Sequence, residues 1–277
     1  MQGSRLSHAL RALRAIVARE LFKFARQYGR LASALVRPLL WLAVFAAGFR
    51  NVFGVAIVEP YDTYIPYDVY IAPGLVGMVL LFNGMQSSLA MVYDREMGLM
   101  RLLLTAPLPR SWILFSKLVA TAVLSLAQAA AFVIVAALLG TVLPVWGPQT
   151  PAVLLAAVCA ALMLGALGLL LSVHIKQLEN FAGTMNFVIF PMYFMSTALY
   201  PLWKLEESGA GWVYQVARFN PFTHAVEWMR FALYGKDPGI APWVVLGTLA
   251  LCFTLACWGY DPQRGFGALG KRPSAAN

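Results

Sequence analysis

Six stretches of about 20 apolar residues, parted by short polar segments, constrain this chain more than any other feature. They run roughly over Leu31–Phe49, Ile71–Tyr93, Ile113–Gly140, Ala152–Val173, Phe181–Tyr200 and Ile240–Tyr260. Hydrocarbon offers no partner to a free backbone amide, so a run of this length crosses it as a helix. The chain therefore reads as an all-α integral membrane protein with six transmembrane helices. Its 60% apolar and 12% charged residues, and mean hydropathy of +0.70, fit no soluble domain. The first span is the least clean: Arg37 lies one and a half turns in, able to snorkel, and Arg50 closes the far end. The third is longer than a crossing needs and carries Lys117, so its start is expected a few residues later.

Residues 1–30 hold seven Lys/Arg and no uninterrupted apolar core, unlike a secretory signal. At about 100° per residue, Leu6, Leu10, Leu13, Val17, Leu21, Phe24 and Tyr28 fall on one stripe. Arg11, Arg19, Lys23, Arg26 and Arg30 fall on the other side. A basic helix with such a stripe is expected to lie in the membrane interface, in contact with lipid. The alternative is a helix packed on a soluble partner.

Charge sets the orientation. Segments 1–30, 94–117, 174–180 and 261–277 carry fifteen Lys/Arg, and segments 50–70, 141–151 and 201–239 carry five. The positive-inside rule puts both termini and the 94–117 loop in the cytoplasm. The net charge of +9 is then topology and not a nucleic-acid footprint. The chain reads as one domain over 1–277: an interfacial helix at 1–30, a bundle at 31–260 and a cytoplasmic tail at 261–277.

Catalytic chemistry is scarce. His8, His174 and His224 sit in three separate segments, and no Asp or Glu falls within the six spans. That weighs against a membrane enzyme and against an ion-coupled transporter, which keeps an ionisable relay in the membrane. Cys159, Cys252 and Cys257 lie in apolar runs without metal-ligand spacing and read as small hydrophobes. No catalytic or metal site is expected. Gly265 to Lys271 has phosphate-loop glycine spacing, but Arg272 stands where the Mg²⁺-binding Ser/Thr belongs. The chain is not expected to bind ATP or any cofactor itself. Asn83, Gln86, Gln128 and Asn186 are polar but uncharged residues inside the spans; each could line a path or glue helices together.

Two stretches stand apart. NPFTHAVEWMRFALYG reads as a helix with Asn220 as N-cap and Pro221 in its first turn. Phe222, Val226, Met229 and Leu233 form its apolar face, while His224, Glu227 and Arg230 point elsewhere. It is too short to span, so it should lie at or dip into the outer leaflet. In YDREMGLMRLLLTAPLPRSW, Asp94 and Glu96 sit where a helix would begin, and Pro107 and Pro109 end it. Its apolar residues point nearly all round, so more than one side must be covered. A cytoplasmic partner is the simplest cover, which makes the stretch a docking helix.

YDREMGLMRLLLTAPLPRSWILFSK resembles the first cytoplasmic loop of the ABC type 2 exporter permeases. FPMYFMSTALYPLWKLEE, followed by ARFNPFTHAVEWMR, resembles their fifth span, outer re-entrant segment and N-P-[FL]-T signature. Trp203-Lys204 departs from the acidic residue that many members carry there. The resemblance covers essentially the whole chain. It implies a permease subunit of a prokaryotic inner membrane, paired with a second copy. Each copy would dock on a separate ATPase subunit that binds ATP and Mg²⁺. It makes 94–110 the coupling helix, with Asp94, Arg95, Glu96, Gly98, Arg101 and Leu102 as docking residues and Glu96 and Arg101 as ionic contacts. The loop His174–Asn180 would be a second contact. An amphipathic cargo (drug-like, lipid or lipid-linked saccharide) would pass between two copies by Asn83, Gln86, Asn186 and Tyr193, chosen for polarity alone. Asn220, Pro221, Glu227 and Arg230 would belong to the outer re-entrant segment. The competing readings are a stand-alone ion-coupled transporter or channel and, third, an integral membrane enzyme.

Overall fold

The computed structural model describes residues 2–26, 36–44, 67–98, 109–141, 147–175, 177–207 and 211–260, with 29, 145 and 209 singly. The leucine run with Arg101 and Leu102, the tail from 261 and most of the first expected span lie outside the described residues. In chain order the helices are α1 (Gln2–Ala25), α2 (Tyr67–Glu96), α3 (Arg110–Leu138), α4 (Thr150–His174) and α5 (Leu178–Phe194). They continue with α6 (Leu202–Glu207), α7 (Gly211–Phe219), α8 (Pro221–Leu233) and α9 (Ala241–Gly259). Residues 36–44 are also helical. Among the described residues four helices are long and apolar enough to cross a membrane: α2, α3, α4 and α9.

Helix α4 is the centre, packed against α2, α3, α8 and α9. Its approach to α2 depends on small residues. A Cβ on Gly84 would sit 3.0 Å from the Leu164 backbone, and one on Gly168 would sit 2.5 Å from Ser88 Oγ and 2.8 Å from Gly84 O. Lipid tails are as apolar as leucine, so such close backbone contact is what draws membrane helices together. Helix α9 leans on α4 through buried Val245, Cys252 and Ala256. It turns Trp243 (76% exposed), Leu251 and Trp258 (88% exposed) outward.

The helix of the third apolar run begins a little before that run. Helix α3 starts at Arg110, and Lys117 is buried within it because a carboxylate lies opposite, as described below. The helix in the fifth apolar run is shorter than the run. Helix α5 ends at Phe194, six residues before the expected Tyr200. Pro191 removes one ladder donor there, and the Ser196 hydroxyl bonds locally, donating to Tyr193 O and accepting from Ala198 N–H. Non-helical backbone among apolar helices persists only where protein satisfies it. Here Tyr67 Oη donates to Leu199 O (2.7 Å), while Tyr70 Oη (3.2 Å) and Arg230 Nη2 (2.9 Å) donate to Thr197 O.

Helix α8 starts as the sequence indicates. Asn220 caps it by accepting from Phe222 N–H at 2.9 Å, and Pro221 follows. Its expected apolar face is buried at Phe222, Val226, Met229 and Leu233. Arg230, expected off that face, is itself only 2% exposed. Helix α8 packs on α2, α4 and α9 together, so its polar side also meets protein and finds partners there. Helix α1 lies along α3, with Trp112 Nε1 donating to Ala9 O at 3.1 Å and Phe24 buried.

Candidate functional site

The segment expected to begin a docking helix at Asp94 instead finishes a long one. Asp94, Arg95 and Glu96 form the last turn of α2, and Gly98, at φ 70°, turns the chain out of it. That conformation suits glycine because it lacks a Cβ. The correction has a physical cause: Asp94 and Arg95 find partners within the bundle, and Glu96 finds one at the exposed start of α5.

Asp94 is 1% exposed. Lys117 Nζ of α3 lies 3.5 Å from its carboxylate, Lys23 Nζ of α1 3.7 Å and Arg19 Nη2 of α1 4.0 Å. A carboxylate withdrawn from water needs cations about it to offset its lost hydration. Asp94 thereby holds α1, α2 and α3 together. Arg95 Nη2 donates to Ser172 O, one of the last carbonyls of α4, which an isolated helix leaves unpaired. Glu96 Oε1 accepts from Leu178 N–H, the first amide of α5, at 2.9 Å. The residue at the N-cap of α5, Gln177, supplies no side-chain cap; its carboxamide oxygen accepts from Asn180 Nδ2 instead. The cap comes from another helix, 82 residues away in sequence.

The expected path residues separate into two places. Asn83 is buried in α2 and donates through Nδ2 to Gln128 Oε1 of α3, which is helix glue. Gln86 lies half-buried beside it, in a narrow crevice lined also by Arg37 and Phe82, with the Arg37 guanidinium 4.0 Å over the Phe82 ring. On α5, Asn186 is exposed. Tyr193 is buried between Trp41, Phe194 and Phe222, with ring centroids 6.4, 5.4 and 6.0 Å away.

At the other end of α2, α8 closes on the break after α5. The Asn220 carboxamide caps α8 and donates to Met192 O and Met195 O, both at 2.7 Å, so one side chain secures the end of α5 and the start of α8. Arg230 Nη1 pairs with Glu227 Oε1 at 2.5 Å, and its guanidinium stacks 4.1 Å over the Tyr70 ring.

A model of the ABC-2 type transporter family matches residues 11–234, from α1 through the whole of α8. The chain belongs to the ABC-2 type transporter family. This permease resembles the protein named transport permease ycf38 in Porphyra purpurea, at 30% identity over 82% of this chain and 76% of that protein. A ycf38 protein of Cyanophora paradoxa is 31% identical over 78% and 72%. The inner membrane transport permease YadH of Escherichia coli K12 is 24% identical over 92% and 96%. The permease is thus a multi-pass membrane protein of a transport family. Sequence reasoning missed the Asp94–Lys117 pair and the Arg95 and Glu96 contacts. The one local signal was the position of Asp94 and Lys117, each at the edge of an apolar run.

Proposed function

We propose that this permease is the membrane subunit of an ATP-driven exporter. It works as a homodimer in a prokaryotic inner membrane, with both termini in the cytoplasm. A separate ATPase subunit binds ATP and Mg²⁺ and docks on the segment that follows α2. Membership of the ABC-2 type family carries this reading, because the family implies an ABC ATPase partner. In this reading Gly98, Arg101 and Leu102 face the partner, and Asp94, Arg95 and Glu96 fasten the segment to the bundle. The cargo is amphipathic and passes between two copies along α2 and α5. What supports that path is the open face of α5, where Phe187 and Phe190 are exposed beside Asn186.

Arg101→Glu tests the docking. It places like charge against an anionic partner and weakens a desolvated contact by about 2–5 kcal/mol. The variant should insert at wild-type levels and lose its ATPase subunit on co-purification. Full retention of the ATPase by Arg101→Glu would remove Arg101 from the interface. Failure of the wild-type permease to retain any ATPase would overturn the exporter reading itself.

A further inference from the structure

Arg95 and Glu96 are neighbours in sequence, yet they grip opposite ends of two successive helices. Arg95 binds the carbonyl end of α4 at Ser172, and Glu96 binds the amide end of α5 at Leu178. A helix carries partial negative charge at its C-terminus and partial positive charge at its N-terminus. Cation on the first and anion on the second is therefore the favourable arrangement at both ends. Exchanging the two side chains would make both unfavourable. Between the gripped ends lie only the last residues of α4 and the connection 175–177. On the far side of the pair, Gly98 turns the chain out of α2.

We propose that the Arg95–Glu96 pair is the joint through which movement of the segment after α2 reaches α4 and α5 together. The inference rests on the permease reading above and adds to it a mechanical route into the bundle. These are positioning residues. Any displacement of the α2 terminus pulls on the end of α4 and the start of α5 at once, because adjacent residues hold them. Asp94, one residue earlier, holds α1 and α3 to the same turn. A rigid last turn of α2 is thereby fastened to four other helices.

The experiment is hydrogen–deuterium exchange on the intact permease–ATPase complex in lipid nanodiscs, without nucleotide and with ATP plus vanadate. In the wild type, nucleotide should change exchange in the first turn of α5, residues 178–182, and in the last turn of α4. Glu96→Ala should raise basal exchange in residues 178–182 about five- to tenfold, as loss of a helix cap does. It should also abolish the nucleotide response there while the ATPase stays bound. Glu96→Gln, which keeps an acceptor oxygen, should restore most of both. The exchanged pair, Arg95→Glu with Glu96→Arg, should lose the response in both helices at unchanged net charge. A cap that is structural only would raise basal exchange and leave the nucleotide response intact, and that result overturns the proposal. So does a wild-type complex whose α4 and α5 ends ignore nucleotide. Loss of the ATPase from the wild-type complex would instead overturn the exporter reading.

Discussion

Lys117 Nζ stands 3.5 Å from Asp94 Oδ2, with side-chain exposures of 9% and 2%. The two residues come from neighbouring helices whose sequences otherwise read as plain membrane spans. Neither charge is tolerable there alone, and their environments differ. Asp94 has three cations within reach, whereas Asp94 is the principal neutralising neighbour of Lys117, with Glu20 a lesser influence.

Removing one partner should therefore hurt unequally. Asp94→Asn leaves Lys117 buried without its counter-charge and Arg19 and Lys23 without an anchor, at about 3–5 kcal/mol. Lys117→Met leaves Asp94 the two half-exposed cations of α1 and should cost less. The double variant should recover much of the loss, since no buried ammonium is then left without its counter-charge. Thermal unfolding midpoints in nanodiscs check the order. Equal losses for the two single variants would show that α1 contributes nothing to holding Asp94.

Arg230 should prove as demanding as any residue in the bundle. Its removal in Arg230→Ala takes one of two donors from the Thr197 carbonyl and leaves the partly buried Glu227 carboxylate unpaired, again about 3–5 kcal/mol. Arg230→Lys should recover only part of this. One ammonium cannot reach two carbonyls, pair with Glu227 and stack flat on Tyr70. Wild-type stability of the lysine variant would mean that charge alone is required.

Two glycines of α2 should differ in their tolerance of a methyl group. A Cβ on Gly74 would meet the backbone oxygen of Ala198 at 2.5 Å and its Cα at 2.7 Å, and backbone cannot step aside. A Cβ on Gly77 would meet the Phe222 ring and a Val226 methyl at 3.0 Å, and side chains can shift. Overpacking costs about 1–3 kcal/mol, so Gly77→Ala should sit low in that range and Gly74→Ala at its top or beyond. Folded yield and unfolding midpoints decide it; the reverse order would contradict the close passage of 197–199 against α2.

Orientation is open to a direct chemical check. An impermeant maleimide applied to intact cells should miss a cysteine placed at Ser7 or Ser274 and label one at Ser208. Labelling at Ser274 from outside would overturn the even number of crossings.

The membrane character of the chain was legible because it rests on local runs: four of the six apolar stretches are long helices with ends within a few residues of those expected. The start of α8 was legible for the same reason, since Asn220 and Pro221 act within one turn. What stayed hidden depends on partners distant in sequence. Asp94 looked like a helix start because acidic residues favour one, but Lys117, 23 residues on, draws it inward. Arg230 fell off the apolar face by period, but period does not name the partners a polar side meets when a helix packs on three others. The apolar run 181–200 concealed the break after Phe194, because hydropathy does not register a missing proline amide or a serine that bonds locally.

Helix α9 has a consequence for the bilayer around it. Its 19 residues extend about 28 Å, close to the hydrocarbon thickness. The outward Trp243 and Trp258 are about 22 Å apart along its axis. Tryptophan settles at the headgroup level on both faces of a membrane. With one flank clasped by α4 and an indole near either end, α9 acts as a depth gauge. In the six-span reading it would set how high the molecule floats, and a thicker bilayer would thin around it or draw its flanking residues outward.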